Sequence, residues 1–446
     1  MNSNWNTEPL SKCISLIIDY RGKTPKKLGG NWSDSGYRAL SAKNVKTSGL
    51  VQENIIRRID EYLYKKWMKE EVKRGDILLT SEAPLGEVLL WDSDEKIVLS
   101  QRLFAIRPND KLDFTYLFYY MTSSKYQHEL EMRSTGTTVV GIKQTQLVHT
   151  KIEYPNLNIQ KKIAHILSTL DDKIEINRKM NETLEAMPQT LFKSWFVDFD
   201  PVHTLSTCRS EADLEAAATK LGISKEVLEL FPSEFVESEM GMIPLGWEVK
   251  RIKDFGHVVT GKTPPTKKKE NYGKEYPFIT IPDMHNKAYI VSTVRSLSNI
   301  GHSVQPKKLI PKNSLIVSCI ATVGLVSINS EDSHTNQQIN SIVCDKLNLY
   351  YLYCLLNNMT DTLVMYGGAG TATLNVNKST FENINILQPR DIELEAFLEV
   401  VHPIFSKILL NTNEIQKLQE TRDTLLPKLL SGELDVSNLH IGEGHE

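Results

Sequence analysis

The sequence predicts an α+β protein in which two similar globular domains are separated by an antiparallel coiled coil of two long helices, with an internal pseudo-twofold repeat. Three observations lead to this fold class. Sequence matches recur at a nearly constant offset, short strand-like and helix-like runs alternate inside each copy, and each copy ends in a long heptad pattern. With 446 residues, of which 40% are hydrophobic, the chain is long enough for several domains with ordinary buried cores.

The repeat is visible first in the tetrapeptide GKTP, which occurs at residues 22–25 and again at residues 261–264. Further matches follow in the same order, such as APLGEV from Ala83 with ATVGLV from Ala321. The offset drifts from 239 at GKTP to 234 at the Gly-Thr pairs of Gly136 and Gly370, as small loop insertions and deletions would make it. The sequence therefore predicts a tandem duplication of a unit of about 200 residues.

Each copy begins with a mixed region, at residues 1–155 in the first copy and 244–388 in the second. Short runs typical of strands, such as DILLTS and SLIVS, are bounded by Gly, Pro, Asn and Asp. They alternate with helix-like runs such as FTYLFYYMTSSKYQHELEM and its counterpart LYYLYCLLNNMTDTLVMY. This alternation predicts an α+β globule in each copy.

A long helix is predicted after each globule, at residues 156–200 and 389–435. Apolar residues and one asparagine recur every seven residues, and we expect these positions to form the seam of a helix pair: Ile163, Leu170, Asn177 and Leu184 in the first helix, and Ile404, Asn411, Leu418 and Leu425 in the second. A buried seam asparagine weakens a coiled coil but fixes its register, because its amide must find a polar partner.

The first helix, taken as residues 156–187, would span ~48 Å at 1.5 Å per residue. An antiparallel pair of such helices would hold the two globules at a set distance. The alternative is two amphipathic helices that each lie on their own globule, since short heptad patterns are common.

Residues 201–243 form an acidic connector between the copies. Ten acidic residues and three basic residues lie between Asp198 and Met240, although the net charge of the whole chain is only −3. We interpret this segment as a solvated linker with helical stretches. No apolar run of eighteen residues and no secretion-signal pattern occur in the sequence, so the cytoplasm is the expected location and no membrane partner is expected.

The stretch GHVVTGKTPP, residues 256–265, contains G-x-x-x-x-G-K-T, the pattern of a phosphate-binding loop. Such a loop leads directly into a helix whose N-terminal amides hold the phosphates, and Pro264 and Pro265 are incompatible with a helix there. The preceding WEVKRIKDF is helix-like where a strand is required, and the first copy has Ile17 in place of Gly256. We therefore interpret the pattern as a structural landmark of the repeat and not as a nucleotide site.

The predicted arrangement of two globules on an antiparallel helix pair resembles the specificity subunit of type I restriction-modification systems. The resemblance extends over essentially the whole chain. It is carried by IPLGWEVKRIKDFGHVVTGKTPP in the second globule, by NIQKKIAHILSTLDDKIEINRKMNETLEAMPQTLFKSWFVDFDP in the first helix, and by LLPKLLSGEL after the second.

The resemblance implies that each globule is a target recognition domain that reads one half of a split, asymmetric sequence in double-stranded DNA. The helices would set the unread spacer and dock two methyltransferase (modification) subunits, and two restriction (motor-nuclease) subunits can join. The chain itself would be a non-catalytic specificity subunit in a complex that methylates adenine and cleaves DNA. S-adenosylmethionine, ATP and magnesium are expected in the partner subunits, and no cofactor is expected in this one.

The residues give no catalytic or metal site. An amino-methyltransferase loop needs [DN]-P-P-[YFW], and the Pro-Pro pair of the sequence, Pro264-Pro265, follows a threonine. PDMHN, from Pro282, resembles the start of an acidic nuclease motif, but the acid and lysine expected soon after it are absent from the sequence. The chain therefore has no recognisable catalytic constellation.

DNA contact requires basic side chains for phosphates and polar side chains that reach base edges. The candidates are loop residues that follow GKTP or that differ between the copies: Lys23, Lys43, Asn44, Arg102, Thr137, Thr138 and Lys143 in the first copy, and Lys262, Lys267, Lys268, Asp283, His285, Asn286, Gln338, Thr371, Thr373, Asn377 and Lys378 in the second. Each of these residue types is also common in turns. The alternative function is a protein-interaction scaffold with two ligand-binding modules on a coiled-coil spacer.

Overall fold

A computed structural model describes residues 5–136, 139–368 and 374–440. The chain divides into two compact units. Unit 1 contains Met1–Lys173 and Leu418–Glu446, and unit 2 contains Ile174–Lys417. The units therefore do not end at the predicted domain boundaries, because each one includes part of both long helices.

The described residues of unit 1 form eleven strands and four short helices together with parts of two long ones. The strands are β1 (Asn6–Pro9), β2 (Ile14–Asp19), β3 (Tyr37–Leu40), β4 (Val45–Lys46), β5 (Gly49–Leu50), β6 (Arg58–Ile59), β7 (Ile77–Ser81), β8 (Leu85–Leu90), β9 (Val98–Leu99), β10 (Leu103–Pro108) and β11 (Lys151–Tyr154). The helices are α1 (Glu61–Trp67), α2 (Phe114–Thr122), α3 (Ser124–Arg133), α4 (Gln144–Leu147) and the first part of α5 (Leu157–Phe192).

Unit 2 contains the remaining strands and helices. The strands are β12 (Phe235–Ser238), β13 (Gly241–Pro244), β14 (Glu248–Arg251), β15 (Gly256–Thr260), β16 (Tyr272–Gly273), β17 (Tyr276–Ile279), β18 (Tyr289–Ile290), β19 (Ser296–Leu297), β20 (Leu315–Ser318), β21 (Val326–Asn329), β22 (His334–Thr335), β23 (Ile339–Cys344) and β24 (Asn385–Gln388). The helices are α6 (Asp200–Thr207), α7 (Glu211–Leu221), α8 (Lys225–Leu228), α9 (Ile281–Met284), α10 (Asn299–Val304), α11 (Lys346–Asn358), α12 (Thr360–Gly368), α13 (Lys378–Glu382) and α14 (Asp391–Leu430), whose last part belongs to unit 1.

The two units share one sheet topology, which confirms the predicted duplication. The central sheet has the order β2-β10-β7-β8 in unit 1 and β15-β23-β20-β21 in unit 2, where β18 adds a fifth strand. A two-stranded antiparallel ribbon accompanies each sheet, β1 with β11 and β14 with β24. A short parallel pair also recurs, β3 with β9 and β17 with β22.

The central strands β7 and β20 are buried along their whole length and mainly apolar, because both faces of each sheet are covered. In β7, Ile77 and Leu79 pack into one core while Leu78 packs into another on the opposite face, as the alternation of side chains along a strand requires. In β20, Leu315 and Ile316 divide in the same way between two cores. The helix covering one face begins at an aspartate N-cap in both units, Asp113 for α2 and Asp345 for α11.

Helices α5 and α14 confirm the predicted long helices and pair within each unit. In unit 1, the Arg422 guanidinium contacts the Asp171 carboxylate at 2.6 Å, and Tyr119 of α2 donates its hydroxyl to the same carboxylate at 2.7 Å. This part of α5 therefore packs both on its own globule and on α14. The helix pair and the packing of a helix on its own globule, which the sequence offered as alternatives, thus occur together.

In unit 2, the seam asparagines find polar partners. The Asn411 amide donates to Asn181 Oδ1 at 2.9 Å, and the Asn177 amide donates to the Glu414 carboxylate at 2.9 Å. Residue numbers rise along α5 as they fall along α14, so the pairing is antiparallel. The predicted seam residues are all buried or half-buried: Ile163, Leu170, Asn177 and Leu184 in α5, and Ile404, Asn411, Leu418 and Leu425 in α14.

The acidic connector is not the solvated linker that the sequence suggested. Val202, Phe231 and Ile243 are buried in the main core of unit 2, and the Phe231 ring meets Trp195 edge-on, with centroids 5.1 Å apart. The acidic side chains, such as Glu211, lie on the exposed faces of the same segment. Residues 201–243 therefore belong to the folded body of unit 2. Among the described residues, no helix is both long and apolar enough to cross a bilayer.

Candidate nucleic-acid interface

In unit 1, several loops converge on the two-residue turn Gln101-Arg102 between β9 and β10. The Ala42 N–H donates to the Gln101 carbonyl at 3.1 Å, and the Ser81 N–H donates to the Arg102 carbonyl at 2.8 Å. The Ile142 N–H in turn donates to the Ser81 carbonyl at 2.9 Å. Backbone hydrogen bonds thus bring the segments around residues 42, 81 and 142 to one end of the sheet.

The same convergence occurs in unit 2 around the turn Gln337-Gln338, between β22 and β23. The Cys319 N–H donates to the Gln338 carbonyl at 2.8 Å, and the Val376 N–H donates to the Cys319 carbonyl at 2.8 Å. The loop after β15 joins the cluster, because the Lys262 N–H donates to the Thr335 carbonyl at 2.9 Å. Each unit therefore presents one cluster of loops at the corresponding end of its sheet.

A cleft of about 500 Å³ opens at the loop cluster of unit 1. Its lining includes Lys43, Arg57 and Arg102, which are basic, and Gln101, which is exposed. The Arg57 guanidinium lies 5.3 Å from the ring centroid of Trp32, which also lines the cleft. A concave surface with three cations, an amide and an aromatic ring can bind a nucleic-acid backbone and contact bases.

Arg102 lies at the rim of this cleft with a left-handed backbone, φ 66°. Its side chain is 44% exposed and its Nε lies 3.0 Å from the Glu82 carboxylate. A non-glycine residue in this conformation is uncommon and is often found at functional sites. Sequence reasoning found Lys43 and Arg102 but missed Trp32, Arg57 and Gln101, which no local motif marks.

Lys23, a predicted phosphate contact, is engaged inside unit 1. Its ammonium donates to the Trp67 carbonyl at 2.6 Å and lies 3.9 Å from the Tyr20 ring centroid. Burial, followed by the nearby Lys69, lowers the pKa of Lys23. Its counterpart Lys262 has an exposed side chain, as do Lys267 and Lys268, so these three lysines are placed where a phosphate can reach them.

Asn44 and Asp283, predicted as base contacts, are buried and cap equivalent turns. Asn44 Oδ1 accepts from the Ser41 N–H at 3.1 Å and from its hydroxyl at 2.9 Å. Asp283 Oδ2 accepts from the Thr280 N–H at 2.9 Å and from its hydroxyl at 2.7 Å. The other oxygen of Asp283, Oδ1, accepts from the Val294 N–H at 2.9 Å. Both side chains are thus bonded within the fold, so they shape the loops and do not face solvent.

The remaining candidates differ in exposure and in bonding. Lys143, His285 and Asn286 are exposed, and Asn286 has a left-handed φ of 56°. Asn377 caps α13 by accepting from the Thr380 N–H at 3.0 Å, and Lys378 lies 3.3 Å from the Glu382 carboxylate. Four predicted contacts lie outside the described residues: Thr137, Thr138, Thr371 and Thr373.

The GKTP loop of unit 2 follows β15 and is not continued by a helix at residues 261–265. A Cβ on Gly261 would lie 2.1 Å from the Asn336 carbonyl oxygen, so this position needs glycine for packing. The helix-like reading of WEVKRIKDF was wrong, because Glu248–Arg251 forms strand β14, with a short 3₁₀ turn after it. A strand therefore does precede the loop, but the helix that a phosphate-binding loop requires does not follow it.

A histidine pair in unit 2 joins the buried His334 to the half-buried His302. His302 Nδ1 and His334 Nε2 are 3.1 Å apart, and the Tyr276 ring stacks on His302 with centroids 4.5 Å apart. Burial, followed by the neighbouring His302, lowers the pKa of His334 to about 4. His334 is therefore neutral at physiological pH and one ring donates to the other. The described residues contain no group of three His, Cys, Asp or Glu side chains arranged to bind a metal.

The chain thus contains two copies of one α+β unit, each with a loop cluster at the same end of its sheet and each crossed by a pair of antiparallel helices. A family model described as the type I restriction modification DNA specificity domain matches the chain twice, at residues 12–186 and 244–420. The chain belongs to this family.

The chain is also similar to individual members. It is 39% identical over 403 residues to the type I restriction enzyme HindI specificity subunit of Haemophilus influenzae, a match that covers 82% of this chain and 88% of the relative. It is 30% identical over 389 residues to the MjaIX specificity subunit of Methanocaldococcus jannaschii, covering 86% and 83%. A crystal structure of a type I S subunit from M. genitalium supports the fold, with a TM-score of 0.56, 17% identity and 96% coverage of both chains.

Proposed function

We propose that this specificity subunit reads a bipartite, asymmetric DNA site, with unit 1 reading one half and unit 2 the other. The observation that carries the proposal is the recurrence of one loop cluster on one sheet topology with different polar side chains at matched positions, such as the exposed Arg102 and the half-buried Gln338. Unit 1 presents Arg102 where unit 2 presents Gln338. Two scaffolds of the same shape that carry different polar groups suit two different half-sites.

Phosphate contacts would come from the exposed cations near each cluster. Lys43 and Arg57 line the cleft of unit 1, and the exposed Lys262, Lys267 and Lys268 follow β15 in unit 2. Such contacts set affinity and register without selecting a sequence, so we expect binding to weaken steeply as salt concentration rises.

The partners would be two modification subunits and two restriction subunits, with the chain itself as the non-catalytic member. S-adenosylmethionine, ATP and magnesium would be bound by those partners. Apolar side chains that are exposed on the helix pair of unit 2 support a protein contact there: Ile176, Met180, Met187 and Leu410.

The test uses the chain assembled with its modification subunits. Residues 244–388 are replaced by the corresponding domain of a relative, and methylated adenines are mapped on random-sequence DNA. We expect one half of the recognised site to change while the other half and the methylation activity remain. Methylation without any sequence preference in the unmodified complex, or a change in both halves after the exchange, would contradict the proposal.

A further inference from the structure

We propose that Arg102 and Gln338 are base-reading residues, so that the half-site of unit 1 requires a G·C pair and the half-site of unit 2 an A·T pair at the matched position. This inference rests on the proposed bipartite recognition and specifies its chemistry. It concerns the second residue of the turn that lies at the centre of each loop cluster.

The two turns have the same place in the two sheets but differ in the backbone of their second residue, which has a positive φ in Arg102 and not in Gln338. Each turn follows a two-residue strand that pairs in parallel, β9 or β22, and leads into the second strand of the central sheet, β10 or β23. The carbonyl of the second turn residue accepts a hydrogen bond at 2.8 Å in both units, from Ser81 and from Cys319. The side chains of Arg102 and Gln338 therefore leave equivalent points of the two scaffolds.

The surroundings of the turn are also alike. The Thr80 hydroxyl accepts from the Glu87 N–H at 2.9 Å, and its counterpart, the Ser318 hydroxyl, accepts from the Leu325 N–H at 2.9 Å. The first turn residue is glutamine in both units, Gln101 and Gln337. Within the turn itself, the chemical difference between the units is thus concentrated at its second residue.

The two side chains match different base edges. A guanidinium donates two hydrogen bonds to O6 and N7 of guanine, whereas a carboxamide accepts from N6 and donates to N7 of adenine. The contact of Arg102 with Glu82 uses Nε, so its two terminal nitrogens remain for a base. The Gln338 amide oxygen accepts from the Asn336 amide at 3.0 Å, which orients the side chain and leaves a second lone pair for adenine N6.

The left-handed backbone of Arg102 sets the direction in which its side chain leaves the turn, and Gln338 does not share this conformation. At φ 66° the side chain projects from the turn at the cleft. There the Glu82 carboxylate lies 3.0 Å from Nε, and the side chain is 44% exposed.

The experiment uses the full chain in complex with its modification subunits and a DNA library in which every position of the wild-type site is varied. Binding is measured by sequencing the retained DNA, and methylation is mapped in parallel. We expect Arg102→Gln to shift one position of one half-site from G·C to A·T, with a change in relative preference of roughly 10- to 100-fold. Gln338→Arg should make the opposite change in the other half-site.

A second variant protects the test against a folding defect, because glutamine is less tolerant of a left-handed backbone than asparagine. Arg102→Asn should relax the preference for G·C at that same position while the other positions keep theirs. The matched control is Arg74→Gln, since Arg74 is half-exposed, also contacts carboxylates and precedes the opposite end of β7. Arg74→Gln should leave the base preference at every position of the DNA site unchanged.

Uniform weakening across all sequences, with a salt dependence reduced by about one phosphate contact, would assign Arg102 to the DNA backbone and overturn the inference. An unchanged site in Arg102→Gln and Arg102→Asn would overturn it as well. Both results leave bipartite recognition intact. The absence of any two-part motif in the wild-type complex would instead contradict the proposed function itself.

Discussion

The C-terminal ends of the two long helices and the segments after them complete the two units with different side chains. After α5, Trp195, Phe196 and Val202 enter the main core of unit 2. The residues 234 positions later, Leu429, Leu430 and Val436, enter the core of unit 1. Two of these positions thus perform the same task with aromatic residues in unit 2 and leucines in unit 1, while the third is valine in both.

This difference shows how a duplicated fold can diverge. Topology depends on which positions are apolar, whereas the detailed packing tolerates changes of shape when neighbouring residues change with them. In unit 2, other aromatic rings surround Trp195, including those of Phe231 and Phe397 at centroid distances of 5.1 and 6.1 Å. The connector supplies Phe231, which packs against Trp195, so the aromatic closure and the connector form one structural feature.

The largest expected effect comes from truncating the matched closing residues. Trp195→Ala should destabilise unit 2 by about 3–5 kcal/mol, and Leu429→Ala should destabilise unit 1 by about 2–5 kcal/mol, because each leaves a cavity in a fully buried site. Hydrogen exchange followed by mass spectrometry measures the two units separately, which matters because a chain of two units need not unfold in one step.

Each variant should increase exchange mainly in its own unit, and the exposed Leu410→Ala serves as the control with little effect. If Trp195→Ala increased hydrogen exchange equally in both units, the assignment of Trp195 to the core of unit 2 alone would be incorrect.

The second prediction concerns the helix seam, which is charged in unit 1 at Asp171 and Arg422 and neutral in unit 2 at Asn181 and Asn411. Asn181→Leu should cost about 1–3 kcal/mol, because the buried Asn411 amide loses its partner. The double variant Asn181→Leu with Asn411→Leu should recover most of that loss, since two apolar side chains leave no unpaired amide. Urea unfolding followed by circular dichroism provides the measurement, and additive losses in the double variant would show that the two amides are not coupled.

The smallest expected effect depends on pH. Burial, followed by the neighbouring Glu182, raises the pKa of Glu185 in α5 to about 7, while a hydrogen bond from the Ala288 backbone opposes the shift. The pKa of this carboxyl is higher in the folded state than in the unfolded state. Its contribution to the stability of the fold is therefore complete below pH 4.5 and is lost as the pH rises through 7. The matched residue of unit 1 is Gln419, which cannot ionise.

Glu185→Gln therefore places the residue of unit 1 at the matched position of unit 2. It should stabilise unit 2 by on the order of 1–2 kcal/mol at pH 8 and have little effect at pH 4. Thermal unfolding of both proteins at the two pH values tests this, and an equal gain at both values would attribute the effect to packing instead of charge.

Much of the fold could be predicted because the signals are long or repeated. The heptad positions from Ile163 to Leu184 extend over several turns, and the strand runs ILLTS and LIVS recur at a fixed offset. Strand β14 was misread because it has four residues, of which Val249 alone is strongly apolar, and it becomes a strand by pairing with β24. The connector was misread because its exposed acids dominate the composition, whereas its few apolar residues, such as Phe231, decide its packing.

The candidate interface was less predictable. The sequence could name Arg102 and Gln338 because they differ between the copies, but it could not separate them from Asn44 and Asp283, which have the same kinds of polar groups and cap turns. Contacts between residues that are distant in sequence could not be predicted either. Asn411 was expected to need a polar neighbour, yet its partner Asn181 and the cleft residue Arg57 are recognised only when the chain is folded.

The division of unit 1 between Met1–Lys173 and Leu418–Glu446 has a consequence for the order of events during synthesis. A ribosome that adds roughly 5–20 residues per second needs roughly 12–50 s to pass from residue 173 to residue 418. Throughout this interval the core around Ile163 lacks Leu429 and Leu430, while unit 2, which is continuous in sequence, emerges complete. The unit that is translated first is therefore the last to close, and its uncovered apolar surface is the part of the nascent protein most open to chaperones and to misfolding.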